Sequence, residues 1–228
     1  MKAFVAGATG QTGRRIVAQL VERHIPVRAL VRDGRRPVFD HCTKAEQLLP
    51  PEVELVEGDV LNAQALEAAI ADSTVLLCAT GAAPSLNPFE PMLVDYLGTK
   101  NLVDAAQAKQ IQHFVLVSSL CVSQLFHPLN LFWLILVWKK QAEAYLQQSG
   151  LTYTIVRPGG LKNEDNDDTI VMAVADQLFE GSIPRTKVAQ VCVSALWEPA
   201  AQNKIVEIVA QSQAPARSLA ELFAGVTA

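Results

Sequence analysis

Apolar residues fall in short runs along this chain, and between the runs they recur at helical spacing. "KAFVAG" (residues 2–7) is an apolar stretch closed by glycine, the form of a buried strand. "QTGRRIVAQLVER" (11–23) sets Ile16, Val17, Leu20 and Val21 on one helical face. "PVRALV" (26–31), "VELVEGD" (53–59) and "TVLLCATG" (74–81) read as the next three strands. "KAEQLL" (44–49) and "AQALEAAI" (63–70) read as helices. A loop carrying Pro84, Pro88 and Pro91 leads into a long helix over 92–110. "HFVLVSS" (113–119) is a fifth strand, and 120–131 looks irregular. Residues 135–150 form a helix stopped at Gly150, and "LTYTIVRPGG" (151–160) is a sixth strand halted by Pro158. Beyond it, 169–174 and 204–209 resemble strands, and 187–198 and 218–226 resemble helices.

Repeated β-α units favour a parallel sheet with helices on both faces. Strands with little polar alternation suit a sheet covered on both sides. The expected fold is therefore α/β, a doubly wound parallel sheet of Rossmann type. It is expected as a single domain over 1–228, with a dinucleotide-binding core over about 1–157 and a smaller C-terminal lobe on the substrate side over about 158–228.

The turn between the first strand and first helix carries Gly7, Gly10 and Gly13, three residues apart. A glycine turn at that place lets backbone approach a pyrophosphate, and the helix start offers free N–H groups and a partial positive charge. Gly7 makes the tight turn, Gly10 admits the phosphate and Gly13 lets helix and strand pack. Thr9, Gln11 and Thr12 add donors. At the end of the second strand, where an NAD enzyme places an acid, stands Arg32, with Arg35 and Arg36 close behind. A guanidinium there suits a ribose 2′-phosphate, so NADP(H) is favoured over NAD. Asp33 lies one residue on, and a shift of one in register would reverse that preference. Arg35 and Arg36 also read as a solvated loop.

The net charge of −4 removes support for non-specific nucleic-acid binding, although Arg28, Arg32, Arg35 and Arg36 cluster enough to hold one phosphate. Cys42, Cys78, Cys121 and Cys192 are scattered on apolar runs, which suits core residues and a reducing compartment. Neither they nor "NEDNDD" (163–168) show a metal-binding pattern, and no metal is expected. The longest apolar run, "LNLFWLILVW" (129–138), is too short to cross a membrane. The chain opens directly on a strand, so a cytoplasmic setting is expected, or a plastid stroma if a transit segment has been removed.

Taken together, "GATGQTGR", "ALVRD", "VEGDV", "ATG", "VDYLGTKNLVDAA", "FVLVSS", "KKQAEAYLQQSGLTYTIVRPGGL" and "VAQVCVSAL" resemble the atypical short-chain dehydrogenase/reductases over roughly residues 1–197. "GATGQTG" is most similar to the biliverdin reductase B / flavin reductase branch. "HPLN…ILVWKKQAE…SGLTYTIVRPGGL" is similar to plastid NADP-binding relatives. The resemblance implies that Asp59 and Val60 contact the adenine, and that Ala79, Thr80 and Gly81 line the central ribose and phosphates. It implies that Ser118 and Ser119 face the nicotinamide and that Pro158, Gly159 and Gly160 flank it. All of these sit at carboxyl ends of strands, where open α/β sheets bind ligands. Strand-end capping is the plainer reading of the two serines.

Ordinary members of the superfamily protonate a carbonyl with Y-x-x-x-K. Lys139 has the lysine position, followed by Glu143 in K-x-x-x-E, but the tyrosine position holds Ile135. An isoleucine has no proton to give. Ser119 and Lys139 remain as candidate catalytic residues, with Lys139 also a candidate for the ribose. The chemistry that survives is hydride transfer to an acceptor needing little help from a protein acid: a free flavin (FMN, FAD or riboflavin) or a linear tetrapyrrole. The alternative is an NADP-binding redox sensor or scaffold without turnover. A reductase or epimerase of a small metabolite is a third reading, weakened by the absent tyrosine. The apolar run 129–138 reads as core, as an aromatic wall over the nicotinamide built from Phe126, Phe132, Trp133 and Trp138, or as a surface for a protein partner or membrane. His113 and His127 read as core or surface residues.

Overall fold

A computed structural model describes residues 1–32, 49–82, 86–131 and 133–227. Its strands are β1 (Ala3–Ala6), β2 (Val27–Val31), β3 (Glu54–Glu57), β4 (Val75–Cys78), β5 (His113–Val117), β6 (Tyr153–Pro158), β7 (Gly160–Lys162), β8 (Thr169–Val174), β9 (Ser182–Pro184) and β10 (Lys204–Gln211). Eight of them form one sheet in the order β3-β2-β1-β4-β5-β6-β10-β8. Every pairing in it is parallel except β8 on β10. The strand order reverses between β1 and β4, so the crevice for a ligand opens beyond their carboxyl ends.

The unbroken apolar runs follow from burial on both faces. Side chains alternate across a strand, so Ala3 and Val5 of β1 join one core while Phe4 and Ala6 join the other. Val75 and Leu77 of β4, and Val115 and Val117 of β5, fall with the first; Leu76, Cys78, Phe114 and Leu116 fall with the second. The first face is covered by α1 (Gly13–Glu22), α5 (Arg185–Ser194) and α6 (Leu219–Gly225) through Ile16, Val17, Leu20, Val188, Val191, Cys192 and Phe223. The second is covered by α2 (Ala63–Ile70), α3 (Thr99–Ala108) and α4 (Ile135–Gln148) through Leu66, Ile70, Leu102, Val103 and Leu146. Each fully buried large side chain, such as Phe4 or Phe114, contributes about 1.5–3 kcal/mol.

Residues from 158 onward, expected as a smaller lobe, mostly extend the main sheet. β10 pairs with β6, β8 closes the edge, and α5 packs beside α1; β7 and β9 alone make a separate two-stranded sheet. The helix expected over 92–110 is present, but it opens with a π-helical segment, Met92–Gly98, before α3 continues it. Gly150 ends α4 with φ +78°, as its position suggested. The short helix expected at 44–49 lies almost wholly outside the described residues.

The apolar run 129–138 is not core. Leu136 is fully buried, but Leu131 is 84% exposed, and Leu129, Trp133 and Leu134 are also exposed. The polar Asn130 organises the segment instead. Its amide donates to the carbonyls of Gln124 and Leu125 at 3.2 and 2.9 Å, and its oxygen accepts from the Leu136 N–H at 3.0 Å at the start of α4. His113 is structural. It is buried at the start of β5, with Nε2 2.9 Å from Thr154 Oγ1, and burial lowers its pKa to about 4. Thr154 spends its own proton on the Ala201 carbonyl at 2.8 Å, so Nε2–H is the donor to Thr154. His127 Nδ1 accepts from the Leu129 N–H in a local turn. Cys78, Cys121 and Cys192 are buried free thiols, and burial raises Cys192 to about 12. Cys42 lies outside the described residues.

Candidate functional site

The glycine turn is built by close approach. Gly7 has φ +77°, and a Cβ on it would lie 2.6 Å from the Ala79 backbone at the end of β4. A Cβ on Gly13 would lie 2.0 Å from the Gly7 carbonyl oxygen. Both glycines are therefore required by packing of the turn on β4 and of α1 on the turn. Gly10 differs. It is exposed, and its Cβ would meet nothing but the Gly7 oxygen, at 3.2 Å. The openness at Gly10 is the feature a pyrophosphate needs.

No side chain caps the first turn of α1, and no acid lies in it. Thr12 holds the N-cap position buried, without a capping bond from its side chain, while Thr9 is half-buried. Gln11 is engaged by its neighbours: its side-chain oxygen accepts from Arg14 and Arg15, and its carbonyl accepts from Arg15 at 2.7 Å. The Arg14 and Arg15 backbone N–H groups close on the Gly10 and Thr12 carbonyls at 3.0 and 3.1 Å, and the amides ahead of them, at Gln11, Thr12 and Gly13, with two arginines beside them, fit an anion. The chain's own residues thus fit the diphosphate of a dinucleotide.

Arg32 is exposed just past β2. Arg35 and Arg36 lie outside the described residues. Arg28 does not join them: it pairs with Glu54 on β3 and donates to the Ala69 carbonyl at 3.0 Å. Asp59 is half-buried and accepts from the Leu61 N–H at 2.9 Å. Val60 is buried against Gly98, with its carbonyl held by Asn101 at 3.0 Å, so Asp59 is the more open of the two toward a base.

Beyond β4 and β5 lies a cleft lined by Thr80, Asp95, Thr99, Ser118, Lys139 and Ala142. Three sequence-predicted residues, Thr80, Ser118 and Lys139, meet here; Ser119 follows half-buried outside that lining. Asp95 was not foreseen. It lies in the π-helical segment with its carboxylate 1% exposed, where it accepts from Lys139 Nζ at 2.7 Å and from the Ala82 N–H at 3.3 Å. Gly81 sits above this pair: a Cβ there would stand 3.7 Å from Asp95 Oδ1 and 3.9 Å from Lys139 Nζ.

Ser118 leads into a buried polar chain. Its hydroxyl donates to Glu143 Oε1 at 2.5 Å, and Glu143 is clasped by Arg157 at 3.0 and 2.7 Å. Arg157 is fully buried on β6 and also reaches Glu207 of β10 at 3.2 Å and Asp176 at 2.9 Å. Glu207 in turn accepts from the backbone N–H groups of Asp176, Gln177 and Leu178. Burial opposes the Arg157 charge, but Glu143, Asp176 and Glu207 outweigh it and raise its pKa above the ordinary value. The chain ties the cleft to the 176–178 loop through side chains with no route to solvent except at Asp176.

Pro158, Gly159 and Gly160 end β6 and begin β7. A Cβ on Gly159 would lie 2.6 Å from the Gly181 carbonyl oxygen, and the Gly160 N–H donates to that oxygen at 2.9 Å. Local packing accounts for glycine at 159. Of the proposed aromatic wall, Phe126 is 97% exposed, and Trp138 rests against Tyr96 with ring centroids 6.2 Å apart. Trp133 is exposed, and Phe132 lies outside the described residues.

A family described as NAD(P)H-binding matches residues 7–199. An uncharacterized chloroplastic protein of Arabidopsis thaliana is 46% identical over 99% of this chain and 82% of its own length. Protein TIC 62, chloroplastic, of the same plant is 36% identical over 96% of this chain, which spans just 37% of that longer protein. Sanguinarine reductase of Eschscholzia californica is 30% identical over 90% of this chain and 87% of its own. Among solved structures, ChuY of Escherichia coli, an anaerobillin reductase, superposes with a TM-score of 0.74 at 25% identity over 95% of this chain and all of its own.

Proposed function

The chain belongs to the NAD(P)H-binding family, and from that premise we propose that it is an NADPH-dependent reductase passing hydride to a flat, electron-poor acceptor, a free flavin or a linear tetrapyrrole. The observation that carries this reading is the cleft itself. It lies at the carboxyl ends of β4 and β5, the residues of the glycine turn fit a dinucleotide leading toward it, and its polar groups are Thr80, Asp95, Thr99, Ser118 and Lys139, with Ile135 where a carbonyl-protonating tyrosine would stand. When bound, the cofactor supplies the hydride. The chain's residues seat the diphosphate, orient the ring edge at Ser118 and present an ion pair beside it. Reductases among the relatives and neighbours support the class of reaction: one is named for sanguinarine, another for anaerobillin. The exposed Arg32 supports NADPH over NADH. Relatives with chloroplastic names support a plastid-type setting. Among the described residues no helix is long and apolar enough to cross a membrane.

One observation favours a second reading, an NADP-binding sensor or scaffold. Leu125, Phe126, Leu131, Trp133 and Leu134 all stand exposed on the segment after β5, as a surface for a protein partner would. A single assay separates the two. NADPH oxidation is followed with riboflavin, FMN and biliverdin as acceptors: saturable turnover is expected, and tight NADPH binding without oxidation by any of them overturns the reductase reading.

A further inference from the structure

We infer that Arg15 and Arg185 form a second anion seat, separate from the glycine turn, that receives a phosphate or carboxylate arm of the acceptor; this rests on the reductase reading and deepens it by making the acceptor an anionic one. Arg14 and Arg15 stand in the first turn of α1, and Arg185 opens α5, which packs beside it. Arg14 turns back to the Gln11 side chain. Arg15 reaches across instead: Nη1 donates to the Gln11 carbonyl at 2.7 Å and to Gln11 Oε1 at 3.3 Å, and Nη2 donates to the Asn163 carbonyl at 3.0 Å. Arg185 Nη1 donates to the Leu161 carbonyl at 3.2 Å and to Asn163 Oδ1 at 2.8 Å. Asn163, just past β7, thus holds both guanidiniums.

Every acceptor that these two guanidiniums use is neutral, and among the described residues neither makes an ion pair. Asp165 offsets part of the charge, but it is exposed and lies 3.9 Å from Lys187 Nζ, which brings a further cation. Burial and the charges of Arg14 and Arg185 lower the Arg15 pKa, and burial together with Arg14 lowers that of Arg185, so the cations crowd one another. Arg185 still holds its Nε–H and both Nη2–H groups without an acceptor among the described residues. Cations gathered against their own repulsion, with forked donors left over, are completed by an anion that accepts from both. Strand order separates this seat from the cofactor's own phosphates. Arg32, the candidate for the 2′-phosphate, follows β2 on one side of β1. Leu161 and Asn163 come after β6, on the other side of β1, where β4 and β5 carry the cleft. An acceptor ring in that cleft therefore has Arg15 and Arg185 on its flank, between the glycine turn and β7.

The test uses the full chain saturated with NADP+ and two pairs of probes. FMN and riboflavin differ by a phosphate; biliverdin and its dimethyl ester differ by their carboxylates. Calorimetric affinities are read in wild type and Arg185→Met, alongside NADPH affinity and melting temperature. Wild type is expected to bind the anionic member of a pair at least roughly tenfold more tightly, the scale of one hydrogen bond to a charged group. Inorganic phosphate should compete with that member and not with its neutral counterpart. In Arg185→Met the preference should shrink to about twofold or less, with affinities for NADPH and for the neutral member within about threefold of wild type. Equal wild-type affinities within both pairs overturn the seat, as does an undiminished preference in folded Arg185→Met. A loss of NADPH affinity as large as the loss for the anionic probe also overturns it, because the anion would then be the cofactor's own. If Arg185→Met does not fold, phosphate competition in wild type decides. NADPH oxidation is followed with the same four probes. An anionic preference without turnover ends the reductase reading and leaves the seat standing; turnover with no preference in either pair ends the seat and leaves the reductase reading standing.

Discussion

One added methyl group distinguishes shape from binding in the glycine turn. At Gly13 the new Cβ would sit 2.0 Å from the Gly7 carbonyl oxygen and 2.7 Å from its carbon. Ordinary contacts begin near about 3.5 Å, so the turn must open by roughly 1.5 Å, with backbone as the obstacle. Overpacking of that kind costs about 3 kcal/mol, and in a chain of this size melting should fall by roughly 6–12 °C. At Gly10 the same methyl group meets one oxygen at 3.2 Å, which a shift of a few tenths of an ångström relieves. Stability should then change by less than about 1 kcal/mol. The methyl group stands where the diphosphate must approach, however, and losing charge-assisted contacts there costs about 2–3 kcal/mol, at least a roughly 30-fold weaker NADPH affinity. Differential scanning calorimetry and titration calorimetry on Gly10→Ala and Gly13→Ala read the two effects separately. Wild-type NADPH affinity in Gly10→Ala refutes the placement of the diphosphate; wild-type melting in Gly13→Ala refutes the packing argument.

Arg32→Asp should weaken NADPH by about 1.5–3 kcal/mol, the range of a hydrogen bond to a charged group, and leave NADH nearly unchanged; equal losses measured by titration would remove the 2′-phosphate role. His113 has a folded pKa of about 4 against 6.5 unfolded, so its contribution is complete above about pH 6.5 and is lost as pH falls toward 4. That loss is on the order of 3 kcal/mol; the difference between wild-type and His113→Gln denaturation midpoints should shrink over that window, and a constant difference sinks the argument. Arg157→Met leaves Glu143 and Glu207 buried without their cation and should cost about 3–5 kcal/mol, seen in urea unfolding; a shift under 1 kcal/mol at neutral pH would show that the network does not hold the fold.

The alternation of strand and helix was readable because helices cover both faces of the sheet, which leaves β1 and β4 apolar at every position and β5 apolar after His113. The glycine turn was readable for the same kind of reason, since Gly7 and Gly13 have no room for a side chain. Asp95 was hidden. Its spacing of four, seven and eleven residues from Thr99, Leu102 and Ala106 puts it on the buried helical face, but its cation lies 44 residues further along the chain and left no mark beside it. Arg157 and Glu207 did leave a trace: a single charge inside "TIVRP" or "KIVEIV" sits on a buried strand and must find a partner. What the sequence withheld was which partners, since they lie 14 and 50 residues apart along the chain. The run 129–138 misled because loop and core apolar residues look alike until burial is known; Asn130, one polar residue within it, turned out to be the anchor.

The π-helical segment at Met92–Gly98 and α3 form one continuous helix. Its far half seats on the sheet through Leu102 and Val103, while Asp95 in the wider turns meets Lys139 of α4. One rod therefore touches both the interior beneath the sheet and the ion pair at the cleft, so any slide of that rod along its axis is felt at both places together.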